Sequence, residues 1–428
     1  MLMSMLFNVC LLHNHLPLEL MDTIIVPIVK DKKENITLMD NYRPIAITTV
    51  MSKVFELLIL DRYGETLNTS SNQFGFKHKH STDMAVFALK HVIDHYRSQS
   101  SPVYLCYIDA SKAFDRINHW ILFDKLLNRG MPNIVVRLLI TWYSHQRFIV
   151  KWGNALSEYF NVTNGVRQGG ILSPHLFNTY IDDLSYALTK SQVGCFINTV
   201  CVNHIVYADD TVIIAPTPDS LQILLNICDI FAAEHDMLYN VKKTKCMCFK
   251  PKLFHDIVIP DIKLNGNAID FVPSHKYLGY YMSESFTDDK DIVRQMRSIY
   301  AKGNSLIHKF KFCSPDVKAQ LFKSYCGAFY CTTLWSNYKK ETLMKLRVAY
   351  KRIFRSLFSI KYGSSITLLM LQNKCDPLDV ILRKLVCGFR ERLSNSCNSV
   401  IAAIINSIFY RSSALTQKWN NVLFRLSP

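Results

Sequence analysis

Long apolar runs are missing from this chain of 428 residues: nowhere does it hold the roughly 18 consecutive apolar residues of a membrane-spanning helix. The apolar opening, MLMSMLFNVCLL, has no basic leader and no A-x-A-like cleavage site, so it is read as a buried helix rather than a secretory signal. No membrane association is expected. Paired cysteines are missing too. The thirteen cysteines are odd in number, lie in apolar stretches and include no C-x-x-C pair, which argues against a disulfide framework and for a reduced, intracellular protein. Cys246 and Cys248, like Cys326 and Cys331, have no histidines at zinc-knuckle spacing and are read as small buried hydrophobes. No repeat, low-complexity tract or Pro/Gly/Ser linker breaks the first 280 residues, so one continuous unit is expected there.

Acidic residues are scarce in one part only. Residues 1–290 carry 27 Lys+Arg against 28 Asp+Glu, whereas residues 291–428 carry 23 against 6, so the formal net charge of +16 resides in the last third. There Lys and Arg interleave with Tyr, Phe and Trp in helical patterns, which suits a surface that neutralises phosphates. A basic helical domain without a ligand fits that composition as well. The length allows two or three domains, and the composition shift near 285–291 divides the chain into 1–290 and 291–428.

What is present is a carboxylate pair in an unusual setting. Tyr207-Ala208-Asp209-Asp210 stands between two β-type apolar runs, HIVYA and TVIIA, so the two aspartates are expected at the tip of a hairpin. Neighbouring like charges raise each other's pKa unless a cation lies between them. An Asp-Asp pair in a solvated turn is the bland alternative. A third carboxylate favours a site: Asp109 ends the strand-like run VYLCYID, and pairing of that strand with the hairpin, parallel or antiparallel, brings it beside Asp209. Oxygen ligands with water and phosphates filling the remaining positions suit Mg²⁺, with Mn²⁺ as a substitute, and two such ions can clamp a phosphoryl transfer. A second pair, Asp182-Asp183, lies in the helical pattern SPHLFNTYIDDLSYAL and is expected to face solvent.

Periodicity and cap signals place strands at 24–30, 42–48 and 147–152, another around 159–166, and short strands after 246. Helices are expected from Ser52 as N-cap, over 81–98, over 221–237, and through most of the chain beyond 291. Asp115 is positioned to cap a helix that stops at Gly130, and Ser173 to cap one with Pro174 at its first position.

Taken in order, the blocks YRPIAI, QFGFKHKHST, CYIDASKAFDRINH, NGVRQGGILSPHLFNTYIDDL, VYADDTVIIAPT, NVKKTKC and KYLGYYM resemble the reverse transcriptase domain of non-LTR (LINE-type) retrotransposons, from about residue 17 to about 283. The resemblance implies an α+β, right-hand polymerase: fingers and palm, an antiparallel sheet packed on helices, over 1–290, then a helical thumb over 291–428. It implies an RNA template, a DNA primer and deoxynucleoside triphosphates, and an RNA-directed DNA polymerase in the nucleus or a cytoplasmic ribonucleoprotein. Asp109, Asp209 and Asp210 match the family's catalytic and metal positions. Arg43 matches the fingers arginine on the triphosphate, with Lys30 its partner, although Lys32 or Lys33 fits that role too. Phe114 matches the aromatic that excludes a 2′-OH, or else packs in the core. Gln168 matches a residue contacting nucleotide and template, and Gly169 lets the backbone approach. Lys243 matches a candidate proton donor to pyrophosphate, or is a plain surface lysine; the role of Arg167 is open. KYLGYYM resembles the hairpin that grips the primer end.

Departures from the family pattern are an upstream endonuclease, a C-terminal Cys/His knuckle and an RNase H carboxylate set, none of which is recognisable, and LELMDT in place of a Trp-Lys block. A fragment of a longer element is the corresponding expectation. Competing readings are an intron-type maturase, an RNA-dependent RNA polymerase, or a catalytically silent remnant that only binds nucleic acid. The sequence does not indicate an oligomeric state.

Overall fold

The computed structural model describes residues 2–251, 260–361 and 363–424. Its centre is a four-stranded antiparallel sheet in the spatial order Lys245–Phe249, Val103–Ile108, Asp210–Ala215, His204–Tyr207. Strand Val103–Ile108 is buried along its whole length because both faces of the sheet are covered. Val103, Leu105 and Tyr107 enter one apolar cluster, while Tyr104, Cys106 and Ile108 enter another. This period-2 division of a continuous apolar run is what burial on two faces requires. Helix Thr82–Ser98 covers the first face. Helices Ser173–Lys190 and Pro218–Glu234 cover the second, with His119–Asn128 and Asn133–His145 behind them.

A second sheet pairs Asp22–Val29 antiparallel with Tyr42–Thr48 and parallel with Arg147–Trp152. From Asp289 onward the described residues are helical apart from turns, including Asp289–Lys309, Lys340–Leu357 and Leu378–Ser394. The α+β architecture is therefore as expected, an antiparallel sheet packed on helices followed by a helical block. The opening helix, Leu2–His13, buries only Phe7 and Cys10, so it is a surface helix with one covered edge rather than a buried one. The cysteines of the described residues are all free, and Cys246, Cys248, Cys326 and Cys331 are buried.

Four local expectations require correction. Helix Ser173–Lys190 begins at Ser173 itself, after Leu172, and no side chain caps it. Helix His119–Asn128 is capped by Asn118, whose side chain accepts from the Trp120 and Ile121 N–H groups, and Asp115 lies upstream in a short 3-10 turn. The chain turns once more before the helix begins, and Asn118 is the side chain standing at its first free N–H groups. Helix Val50–Tyr63 is capped by Thr49, which accepts from the N–H of Ser52 itself. Asp182 does not simply face solvent: it accepts from the Ser70 N–H at 2.8 Å and pairs with Arg129 at 2.5 Å, while Asp183 pairs with Lys125 at 2.6 Å. Helical spacing gives the direction of a side chain but not the neighbour that meets it.

The helical block is joined to the sheet by a buried charge pair. Lys90, on helix Thr82–Ser98, meets Asp288 at 2.5 Å and also donates to the Tyr280 hydroxyl and the Leu334 carbonyl, both at 2.8 Å. The other Asp288 oxygen accepts from the Ser336 and Asn337 N–H groups at 2.7 and 2.9 Å. Removing one partner strands the other charge in a dry site. Lys90→Met should therefore cost about 3–5 kcal/mol, and Lys90→Met with Asp288→Asn should recover much of that loss. Urea denaturation of the three proteins checks this, and a single variant as stable as the parent contradicts it.

Candidate active site

The register of the central sheet assembles the three aspartates. Strand Val103–Ile108 lies antiparallel to Asp210–Ala215 with Ile108 opposite Thr211, and Tyr207 pairs with Asp210 across a two-residue turn. Asp109, one residue past Ile108, thus emerges beside Asp210, with Asp209 at the turn. The left-handed Ala208, φ 57°, is an uncommon conformation for a residue with a Cβ and needs support. That support is Gln73, whose side-chain oxygen accepts from the N–H groups of Ala208 at 3.1 Å and Gly75 at 2.8 Å. Gly75 has to be glycine, because an added Cβ would stand 2.4 Å from the Ala208 nitrogen. The segment is laced to the hairpin by Phe74 N–H to the Val206 carbonyl and Val206 N–H to the Asn72 carbonyl, both 2.8 Å.

Asp109 is anchored separately. Its N–H donates to the Thr244 hydroxyl at 3.2 Å and its carbonyl accepts from the Asn240 N–H at 2.8 Å. The NVKKT segment consequently wraps the strand end and brings the Lys243 charge to bear on Asp109. Burial raises the pKa of Asp109, and Lys243 and Lys30 oppose the rise. Asp209 is raised by burial and by Asp109, with Arg43 opposing. Asp210 is pushed up to about 6 by burial and by both other carboxylates. The carboxylates are open to solvent on one side yet crowded by each other and by the sheet. The sequence-derived candidates Asp109, Asp209, Asp210, Lys30, Arg43 and Lys243 thus form one electrostatic neighbourhood. Of the three lysines considered at its edge, it is Lys30 whose charge reaches Asp109 and Asp115, while its amine donates to the Asp40 carbonyl at 2.8 Å.

Oxygen-only donors carrying crowded like charges are the chemistry a hard divalent cation satisfies. Among the described residues no three His, Cys, Asp or Glu side chains are drawn together tightly enough to enclose an ion unaided. Water and substrate oxygens would have to complete any coordination shell.

Phe114 lies flat on Phe177, centroids 4.4 Å apart at 7°, with Phe76 edge-on at 6.4 Å. It is half-buried, so part of the ring stays open to solvent beside the packing contact. Gln168 donates from its amide to Asp115 at 3.0 Å, and its carbonyl accepts from the Ala46 N–H at 2.8 Å, which fastens the Gly-rich loop to strand Tyr42–Thr48. Gly169, φ 137°, presses against that strand, where a Cβ would meet the Ala46 carbonyl oxygen at 2.3 Å. Its freedom therefore serves contact between two protein segments. Asp115, expected to be a helix cap, is instead a partner of this loop. Arg167 is buried against Glu56. Sequence reasoning passed over Glu56 and Gln73. A weak signal for Glu56 is its place on the buried stripe Ser52, Phe55, Ile59 of an amphipathic helix.

Hairpin Ser274–Tyr277/Tyr280–Ser283 packs against the same sheet end: Tyr107 stacks on His275 at 4.3 Å and meets Tyr277 at 5.4 Å.

Residues 29–282 match the family model described as reverse transcriptase (RNA-dependent DNA polymerase). The chain is 23% identical over 407 residues to the RNA-directed DNA polymerase from mobile element jockey of Drosophila funebris, covering 92% of this chain and 44% of that protein. It is 29% identical over 231 residues to the Pol polyprotein from type-2 retrotransposable element R2DM of Drosophila melanogaster, covering 53% and 21%. The probable RNA-directed DNA polymerase from transposon X-element of the same species is 24% identical over 383 residues, covering 86% and 41%. The chain spans less than half the length of these relatives. A telomerase from Candida tropicalis, solved with a fragment of telomeric RNA, overlays with a TM-score of 0.48 at 12% identity, covering 95% of this chain and 62% of that one. The expected kinship with non-LTR elements is borne out by these relatives.

The raised pKa of Asp210 fixes a sign. In the unfolded chain it ionises near the ordinary value of about 4, and in the folded protein near about 6. Folding is therefore disfavoured progressively as pH rises through that window, and the penalty is complete above it. Without divalent ions, Asp210→Asn should melt at a higher temperature than the parent at pH 8 and together with it at pH 4. Calorimetry in a chelator checks this; a variant that melts lower at pH 8 contradicts the crowding.

Proposed function

The chain belongs to the reverse transcriptase (RNA-dependent DNA polymerase) family, and from that membership we propose that it is an RNA-directed DNA polymerase of a non-LTR retrotransposon, extending a DNA primer on an RNA template with deoxynucleoside triphosphates. One observation carries the reading: the end of a single sheet gathers Asp109, Asp209 and Asp210, with the cations Lys30, Arg43 and Lys243 acting on them. Polymerisation needs negative charge to hold cations on one side of the reacting phosphate and positive charge to neutralise its oxygens on the other.

In this proposal Asp109, Asp209 and Asp210 are the residues that hold divalent metal. Two Mg²⁺ ions, or Mn²⁺ in their place, would supply acidification of the primer 3′-hydroxyl and charge neutralisation at the triphosphate. Arg43 offers a planar fork and Lys30 a point charge to the triphosphate oxygens. Lys243 stands at the strand end that carries Asp109, suited to give a proton to the departing pyrophosphate. Gln168 contacts the incoming nucleotide once its amide leaves Asp115, and Gly169 keeps the loop close to the fingers strand. Phe114 is the ring that excludes a 2′-hydroxyl in this reading. Residues 1–290 act as fingers and palm, and the basic helices of 291–428 act as a thumb that follows the duplex backbone without reading sequence. A nuclear or cytoplasmic ribonucleoprotein location goes with this function.

Purified protein with an RNA template, a DNA primer and Mg²⁺ should give extended product, and Asp209→Ala should lower the rate by about a thousandfold or more. Equal labelling by parent and variant would leave a chain that binds nucleic acid without copying it. Phe114→Val should admit ribonucleotides, narrowing the preference for deoxynucleotides by about tenfold or more. Unaltered sugar discrimination in that variant would return Phe114 to a packing role alone.

A further inference from the structure

Helix Val50–Tyr63 carries one carboxylate, Glu56, on its buried stripe. Such a group needs full compensation. One of its oxygens pairs with the guanidinium of Arg167, which is itself buried and lies over the Trp142 ring at 4.9 Å. The other accepts from the Ile171 N–H at 2.5 Å and the Leu172 N–H at 3.2 Å. A single side chain therefore grips both ends of the loop whose interior is Gln168-Gly169-Gly170. Arg167 Nε and Nη1 find no hydrogen-bond partner among the described residues, so the charge of Arg167 is balanced through Glu56.

The interior of the loop is fitted just as tightly. A Cβ on Gly170 would lie 2.6 Å from the Ser173 hydroxyl and 3.3 Å from the Glu56 carboxylate oxygens. On the opposite side the Gln168 carbonyl is taken by the Ala46 N–H. The loop is thus sandwiched between Glu56 beneath and strand Tyr42–Thr48 above, the strand that also carries Arg43. Its two glycines are explained by protein on both sides.

We infer that Glu56 is a positioning residue: by clamping Arg167 and the Ile171 and Leu172 amides it sets the placement of Gln168 relative to Arg43, and so governs affinity for the incoming nucleotide without touching it. The inference rests on the polymerase reading above. Loss of the clamp frees the loop by a fraction of its length, and misplacement on the ångström scale is enough to cost one to two orders of magnitude in a positioned contact. Affinity for primer and template, which in that reading comes mainly from the basic helices of 291–428, should be spared.

The test uses the full chain with an RNA template and a DNA primer ended in a dideoxynucleotide, so that the complementary deoxynucleotide binds in Mg²⁺ without reacting. Nucleotide Kd, primer–template Kd and Tm are measured for the parent, Glu56→Gln, Glu56→Ala and the double variant Glu56→Leu/Arg167→Met. Glu56→Ala should weaken the nucleotide by about tenfold or more, with the primer–template Kd little changed. Glu56→Gln, which keeps one acceptor, should fall between it and the parent. The double variant leaves no unpaired charge and should regain Tm, but not nucleotide affinity. Recovery of nucleotide affinity together with Tm in the double variant would make Glu56 a structural residue only. Unchanged nucleotide affinity in Glu56→Ala would also overturn the inference. A parent that takes up no nucleotide would overturn the polymerase reading itself, whereas a parent that binds beside unaffected variants would overturn the clamp alone.

Discussion

Mutual repulsion among Asp109, Asp209 and Asp210 is the constraint that the rest of the molecule accommodates. Burial raises the pKa of all three carboxylates, Asp109 adds to the rise at Asp209, and both of these add to it at Asp210, so the groups are held together by backbone anchors and not by attraction. The anchors are specific. Thr244 and Asn240 fix the backbone of Asp109, and Gln73 and Gly75 fix the turn before Asp209. Burial of the sheet on both faces does the remainder, since a one-residue slip of strand Val103–Ile108 would exchange the residues of its two apolar clusters. The stability of the scaffold is thus used to hold an arrangement that electrostatics alone opposes.

What the sequence makes legible is whatever depends on neighbours along the chain. The hairpin around Asp209 follows from apolar runs on either side of a short polar turn. Strand Tyr42–Thr48 and helix Thr82–Ser98 follow from period and flanking residues. Legibility ends where partners lie far apart in sequence. Glu56 and Arg167 are separated by 111 positions, and Lys90 and Asp288 by 198. No local pattern announces such pairs, although Glu56 and Lys90 mark themselves faintly as charges on the buried stripes of their helices. Asp115 failed as a cap for a related reason. Cap rules identify a suitable residue type ahead of a helix, but the intervening turn, set by tertiary contacts, decides that Asn118 occupies the position.

The strongly basic last third also reads differently once folded. Its charge lies on the outer faces of helices such as Lys340–Leu357, whose inner faces bury Leu343, Leu346, Tyr350, Ile353 and Phe354. Charge and core are therefore segregated by helical period, and some of the outer cations are engaged within the protein, as Arg347 is with Asp379.

Helix Thr82–Ser98 has a consequence of its own. One of its residues, Phe87, lies within 6.0 Å of the rings of both Phe389 and Trp419, while Met84, Leu89, Val92 and Ile93 join the cluster that backs the central sheet. The helix is a party wall that the rooms on either side share. Severing the polypeptide near residue 290 would leave raw aromatic surface on both pieces, and each would be prone to aggregate. Dissection of this protein is accordingly better done by altering single side chains than by cutting it in two.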